Sequence, residues 1–262
     1  MITDLQGASA LVCGASSGLG LATARALAAL GADLHLTARR GELLEREADG
    51  LRRDHSVRVA TSVLDLADPP ALKEMLASVA DDPPNIVVIG GGGPPPMTVS
   101  DLDLGELDAA YRSLLRPAAT IAASLAPAMA ARGGGVLVFI TSSGVKEPID
   151  GLVSSNIFRA GVTALAKCTA TEFAARGVRS LCVAPGRIAT ERVAALDGAR
   201  AERTGTAVED VQEASIASIP AGRYGDPDEF GEMVALLCTP AAAYVTGVTI
   251  SIDGGKSTGL LA

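Results

Sequence analysis

The residues with the plainest chemical meaning lie near the N-terminus, where the apolar run Ala10-Leu11-Val12-Cys13 is followed by Gly14-Ala15-Ser16-Ser17-Gly18-Leu19-Gly20. A pyrophosphate needs close backbone approach and unpaired N–H groups, and glycines opening a helix supply both. Gly14, Ser17, Gly18, Leu19 and Gly20 are therefore candidates to hold a dinucleotide. The next apolar run ends Leu36-Thr37-Ala38-Arg39-Arg40. An acid at the Ala38 position would hold a ribose 2′-hydroxyl, whereas arginine suits a 2′-phosphate. Arg39, with Arg40 and Ser16, thus points to NADP(H) rather than NAD(H). Asp65, with Leu66 beside it after the third run, is the candidate to accept from the adenine amino group.

Such a cradle works only at the end of a strand. The sequence offers strands at 9–13, 33–37, 58–63, 86–89, 136–141, 179–184 and 249–252. Helical patterns fill the gaps at 18–30, 41–54, 69–80, 104–131, 154–175 and 227–238. Near-continuous apolar strands separated by helices predict an α/β, Rossmann-type, doubly wound parallel sheet of about seven strands, with helices on both faces. No composition shift divides the chain, so residues 1–262 are expected to form a single domain. Gly90–Pro96 (GGGGPPP) follows a strand and reads as a shaped loop. The polar stretch 188–220 is expected to form a helical lid over the site.

The bulk numbers narrow the partners. A formal charge of −8 disfavours nucleic acid and anionic membrane surfaces. The four cysteines are spread singly, which argues against a zinc site or a disulfide framework and fits a reducing, cytoplasmic setting. The N-terminal stretch has no basic region of a signal or transit peptide. The apolar runs are broken by charge, Gly or Pro, so no membrane span is expected.

Over essentially its whole length the chain resembles the short-chain dehydrogenase/reductase family. Gly14–Gly20 resembles that family's T-G-x-x-x-G-x-G turn, with Cys13 in place of the threonine. Gly90, Gly91 and Gly92 fall on its N-N-A-G segment, and Pro185, Gly186, Ile188 and Thr190 on its P-G-x-x-x-T turn. By this resemblance Thr190 would bond the nicotinamide carboxamide. The tail from Tyr244 to Gly255 resembles the last strand and closing loop. The Gly-Gly-Pro-Pro-Pro loop and Val145-Lys146-Glu147-Pro148 more narrowly resemble a 3-oxoacyl-carrier-protein-reductase-like subgroup with an atypical active site.

The resemblance implies a relay of serine, tyrosine, lysine and asparagine, and here the chain departs from it. Ser142 occupies the serine place, but Ser155 stands for the tyrosine, Arg159 for the lysine and Leu114 for the asparagine. No Tyr-x-x-x-Lys occurs anywhere, and both histidines, His35 and His55, belong to the nucleotide half. Arg159 keeps a charge able to bond a nicotinamide ribose, but it cannot exchange protons near neutrality. Lys146, on the loop after Ser142, is the nearby titratable group that would point at substrate. The expected activity is NADP(H)-dependent interconversion of ketone and alcohol on a small-molecule substrate, with an anionic or activated carbonyl preferred. Two alternatives stay open: a nucleotide-binding sensor or partner subunit without turnover, and an isomerase or lyase on the same fold. The resemblance also implies a homotetramer.

Overall fold

The computed structural model describes residues 4–259; the first residues of the stretch read for a leader, 1–3, and the last three, 260–262, lie outside them. Seven strands form one parallel sheet: β1 Ser9–Cys13, β2 Asp33–Ala38, β3 Val59–Val63, β4 Ile86–Ile89, β5 Gly135–Ile140, β6 Val178–Pro185 and β7 Thr249–Ile252. Their order is β3-β2-β1-β4-β5-β6-β7, as expected for a Rossmann-type doubly wound sheet. The order reverses between β1 and β4, and the crevice beyond their C-terminal ends is where such sheets bind ligands.

Alternation along the strands feeds two cores. Ala10 and Val12 of β1 pack with Leu27, Leu36 and Phe230 on one face, while Leu11 and Cys13 pack with Ile121, Met129 and Phe139 on the other. The covering helices are α1 Gly18–Ala29, α2 Gly41–Asp54, α3 Pro69–Ser78, α4 Leu104–Ala110, α5 Arg116–Ala131, α6 Val153–Phe173, α7 Glu191–Thr204, α8 Val208–Ala217 and α9 Pro227–Cys238. Strand bounds lie within one residue of expectation, and those of the helices read as single pieces within two.

The stretch 104–131 is one place where the structure corrects the sequence. Its pattern predicts one helix, but a π-helical turn, Tyr111–Leu115, separates α4 from α5. Pro117 supplies the physical reason. It has no N–H for the Ser113 carbonyl, and its ring would crowd that oxygen in a regular helix. One extra residue of winding relieves the conflict. The whole stretch is long and apolar enough to cross a membrane by length and composition. Its apolar face, with Ile121, Leu125 and Met129, is the part that covers the sheet.

The start of α9 carries a checkable electrostatic effect. Asp226 caps the helix and Glu229 completes a capping box. The Arg223 guanidinium, 2.6 Å from Glu229 Oε1, holds the Glu229 carboxyl down at about 2. A carboxyl whose folded pKa is depressed stabilises the fold above its unfolded pKa and loses that effect as pH falls through the folded value. Glu229→Gln keeps the capping geometry but removes the charge. The wild-type advantage in thermal unfolding is expected to be full above pH 4.5 and to vanish as pH approaches about 2.

Candidate active site

The cradle is built by β1 running into α1. Gly14 and Gly18 take φ of 73° and 55°, which favours glycine, and the Gly14 and Ala15 N–H groups donate to Thr37 O of β2. Gly20 is required for another reason: a Cβ there would lie 2.3 Å from Gly14 O. Ser17 is the N-cap residue of α1, yet its side chain does not cap the helix. Its Oγ instead accepts from Arg40. The first-turn N–H groups of α1 therefore keep their positive potential for an anion, the arrangement a pyrophosphate requires.

These groups open into a cleft of about 510 Å³ at the sheet's switch point. Its lining includes Gly14, Ser17, Gly18, Leu19 and Gly20 from the cradle, Gly90, Gly91 and Gly92 from the end of β4, and Pro185, Gly186, Ile188 and Thr190 beyond β6. Ser142, Ser155 and Arg159 line the same cleft. Thr190 caps α7, accepting from Val193 N at 3.4 Å. The remaining expected cofactor residues stand outside this lining. Ser16 is buried, Arg39 is exposed at the end of β2, and Arg40 reaches from Ser17 toward Glu191. Asp65 is exposed and accepts from Ala67 N at 3.0 Å in a local turn. Leu66 borders a second cavity of about 20 Å³, with Gly91, Ser113, Leu114, Thr141 and Arg159 also on its wall. That is room for one water.

The chemical cluster follows from β5 and α6. Ser142 lies just past β5 and caps a 3₁₀ turn, its Oγ accepting from Gly144 N at 3.1 Å. Ser155 and Arg159 are one helical turn apart on α6, and Arg159 Nε donates to Ser155 Oγ at 3.2 Å. Arg159 Nη1 also donates to Ile140 O and Thr141 O, both at 2.9 Å, so the guanidinium ties α6 to the end of β5. Burial, with Arg192 nearby, pulls the Arg159 pKa down to about 10, which still leaves it charged at neutral pH. Each serine hydroxyl accepts from an N–H and so keeps its own hydrogen to donate forward. Hydroxyl donors backed by a fixed cation are the kind of groups that stabilise a developing oxyanion.

Lys146 is not among the residues lining the cleft. Lys146 follows the 3₁₀ turn Ser143–Val145 as its C-cap residue. The lysine that does line the cleft is Lys256, and Arg187 and Arg192 line it too. Sequence reading missed all three. Arg187 is paired with the fully buried Asp197, which also accepts from the Tyr224 hydroxyl at 2.9 Å. Only Arg187 carried a local signal, since it sits inside the Pro185–Thr190 turn.

Comparison with known proteins gives a consistent result. A family model described as enoyl-(acyl carrier protein) reductase matches residues 14–257. Galactitol 2-dehydrogenase (L-tagatose-forming) of Cereibacter sphaeroides is 34% identical over 257 residues, 96% of this chain and 95% of that protein. A tropinone reductase homolog of Arabidopsis thaliana is 31% identical over 258 residues, covering 96% of this chain and 91% of its own. L-sorbose reductase from Gluconobacter frateurii, solved with NADPH and L-sorbose, superposes with a TM-score of 0.92 at 27% identity, over 99% of this chain and 100% of that one.

Proposed function

The chain belongs to the short-chain dehydrogenase/reductase family of NAD(P)-dependent oxidoreductases acting on CH–OH groups, and from that premise we propose that it reduces an activated or anionic carbonyl compound with NADPH through a relay lacking tyrosine. The observation that carries this reading is the Ser155–Arg159 pair beside Ser142 in the cleft that the cradle opens into. Arg39 and Arg40 at the end of β2, with Ala38 in place of an acid, favour the 2′-phosphorylated nucleotide. Gly14–Gly20 and the uncapped start of α1 would hold its pyrophosphate, and Thr190 its carboxamide end. A nicotinamide held there would supply the hydride chemistry at the substrate carbon.

The chain's own residues handle the oxygen. Ser142 and Ser155 donate hydrogen bonds to it, and Arg159 stabilises the negative charge that builds there. Neither serine nor arginine exchanges protons readily near pH 7, so the proton comes from solvent. That is why a substrate already polarised by a neighbouring group suits this site better than a plain ketone. Residues 188–220, which form α7 and α8, would cover the bound substrate as a lid, and Arg192, Val193 and Leu196 of this segment line the cleft.

The test is NADPH oxidation with a panel of simple ketones and oxo acids. Turnover is expected on the activated members, with Ser142→Ala and Ser155→Ala each lowering kcat roughly 10²-fold, the lower end of the range for losing one preorganised donor. Calorimetric NADPH affinity is expected to stay unchanged in both variants. Tight NADPH binding with no turnover on any compound would overturn the reductase reading and favour a nucleotide-binding protein without redox activity.

A further inference from the structure

The cleft holds more positive charge than the reaction at its oxygen site uses. Arg159, Arg192 and Lys256 all line it, and among the described residues none of the three has a carboxylate oxygen within 4.0 Å. Arg192 lies close enough for its charge to depress the pKa of Arg159. Lys256 is half-buried and is lowered in pKa by burial first, then by Arg187 and Arg200, with Asp253 and Asp197 pulling it the other way by less. Cations partly withdrawn from water, each with another cation nearby, are costly unless an anion joins them. Glu191 lines the same cleft but lies 3.6 Å from Arg40, so in a chain of net charge −8 these cations still make a local reversal of sign.

The two extra cations reach the cleft from different segments of the chain. Arg192 donates to Pro94 O at 2.6 Å, and its guanidinium lies against Gly93. That loop is tied to the entrance of α6, where Met97 N donates to Gly151 O at 2.8 Å and Val153 N to Met97 O at 3.2 Å. Lys256 comes from the tail. Asp253 anchors that tail by accepting from Ser257 N at 3.0 Å and Ser257 Oγ at 2.6 Å. Glu147, on the loop after Ser142, accepts from Thr258 N at 2.8 Å. The cradle for the nucleotide pyrophosphate is a separate set of groups at the start of α1.

We propose that Arg192 and Lys256 form a subsite for an oxyanion, a carboxylate or a phosphate, carried by the substrate at a distance from its reacting carbonyl. This rests on the reductase reading of the cleft and names the substrate class within it. A charged hydrogen bond to a substrate oxyanion is expected to favour the anion over its neutral analogue by at least about tenfold in kcat/KM.

The experiment compares oxo acids of three to six carbons with their methyl esters, and dihydroxyacetone phosphate with dihydroxyacetone. It uses wild type, Arg192→Met and Lys256→Met, and measures NADPH affinity of each by calorimetry. A preference for the acids identifies a carboxylate, and one for the phosphate ester identifies a phosphate. The preference should fall toward unity in both variants while NADPH affinity holds. Equal rates on anion and neutral analogue in wild type would overturn the proposal. So would a comparable loss of NADPH affinity in both variants, since the cations would then serve the cofactor. If wild type reduces nothing, the reductase reading fails, and titration of the NADP⁺-loaded protein with malonate, succinate and inorganic phosphate decides the subsite. Binding of one of them that disappears in both variants supports it; no binding overturns it.

Discussion

Gly20→Ala is expected to leave a folded protein that no longer binds NADPH measurably. The new methyl would stand 2.3 Å from the Gly14 oxygen and 2.8 Å from its carbonyl carbon. Both are backbone atoms, so no side chain can swing aside, and the β1–α1 turn must open. Overpacking of this kind costs roughly 1–3 kcal/mol. The larger effect is on the ligand, because the shifted atoms belong to the turn that presents the N–H groups of the cradle. Calorimetry with NADPH is expected to show at least about a 100-fold weaker affinity, with thermal unfolding lowered by several degrees. Gly198→Ala is the control. Gly198 lies in α7, and a methyl added there would meet no atom within 4 Å. That change should leave NADPH affinity unaltered and stabilise the helix by up to about 1 kcal/mol. Unchanged NADPH affinity in Gly20→Ala would show that the nucleotide binds elsewhere.

Arg159→Met is expected to remove most of the turnover. The guanidinium makes three hydrogen bonds that tie α6 to the end of β5, one to Ser155 Oγ and two to the carbonyls of Ile140 and Thr141. Methionine keeps part of the stem and loses all three, together with the charge behind the oxyanion site. Removing one preorganised electrostatic partner typically costs about 10²–10³ in rate. Each orphaned carbonyl adds about 1–3 kcal/mol of destabilisation where water cannot replace the partner. Steady-state kinetics on the best oxo acid, with unfolding followed alongside, separate the two effects. Arg159→Lys should recover part of the rate, since it restores a cation but not the forked donor. A variant as active as wild type would remove Arg159 from the mechanism.

Much of this was legible because it is local. The cradle is one turn of chain, each strand is a short apolar run, and Ser155 and Arg159 are a single helical turn apart. The resemblance to the family's relay put them at one site with Ser142, and all three line a common cleft. What escaped the sequence depends on contacts between distant segments. Arg192 reaches the site through Pro94, 98 residues away. Lys256 enters on a tail whose neighbour, Thr258, bonds to Glu147 across 111 residues. No periodicity links such pairs. Lys146 is near Ser142 in sequence, but it is not among the residues that line the cleft with Ser142. The π-helical turn was hidden because the apolar pattern runs on through Tyr111–Leu115, and only Pro117 marks the break.

The bonds from Thr258 to Glu147 also set an order of events during synthesis. The glycine turn and its first strands can form early, from neighbouring stretches of chain, because the loops they close are short. The pocket beside them has no finished wall until residues 253–258 have been made and have travelled back to the loop beyond β5. A growing polypeptide would therefore hold the turn before α1 well before the cleft beside it has its last wall.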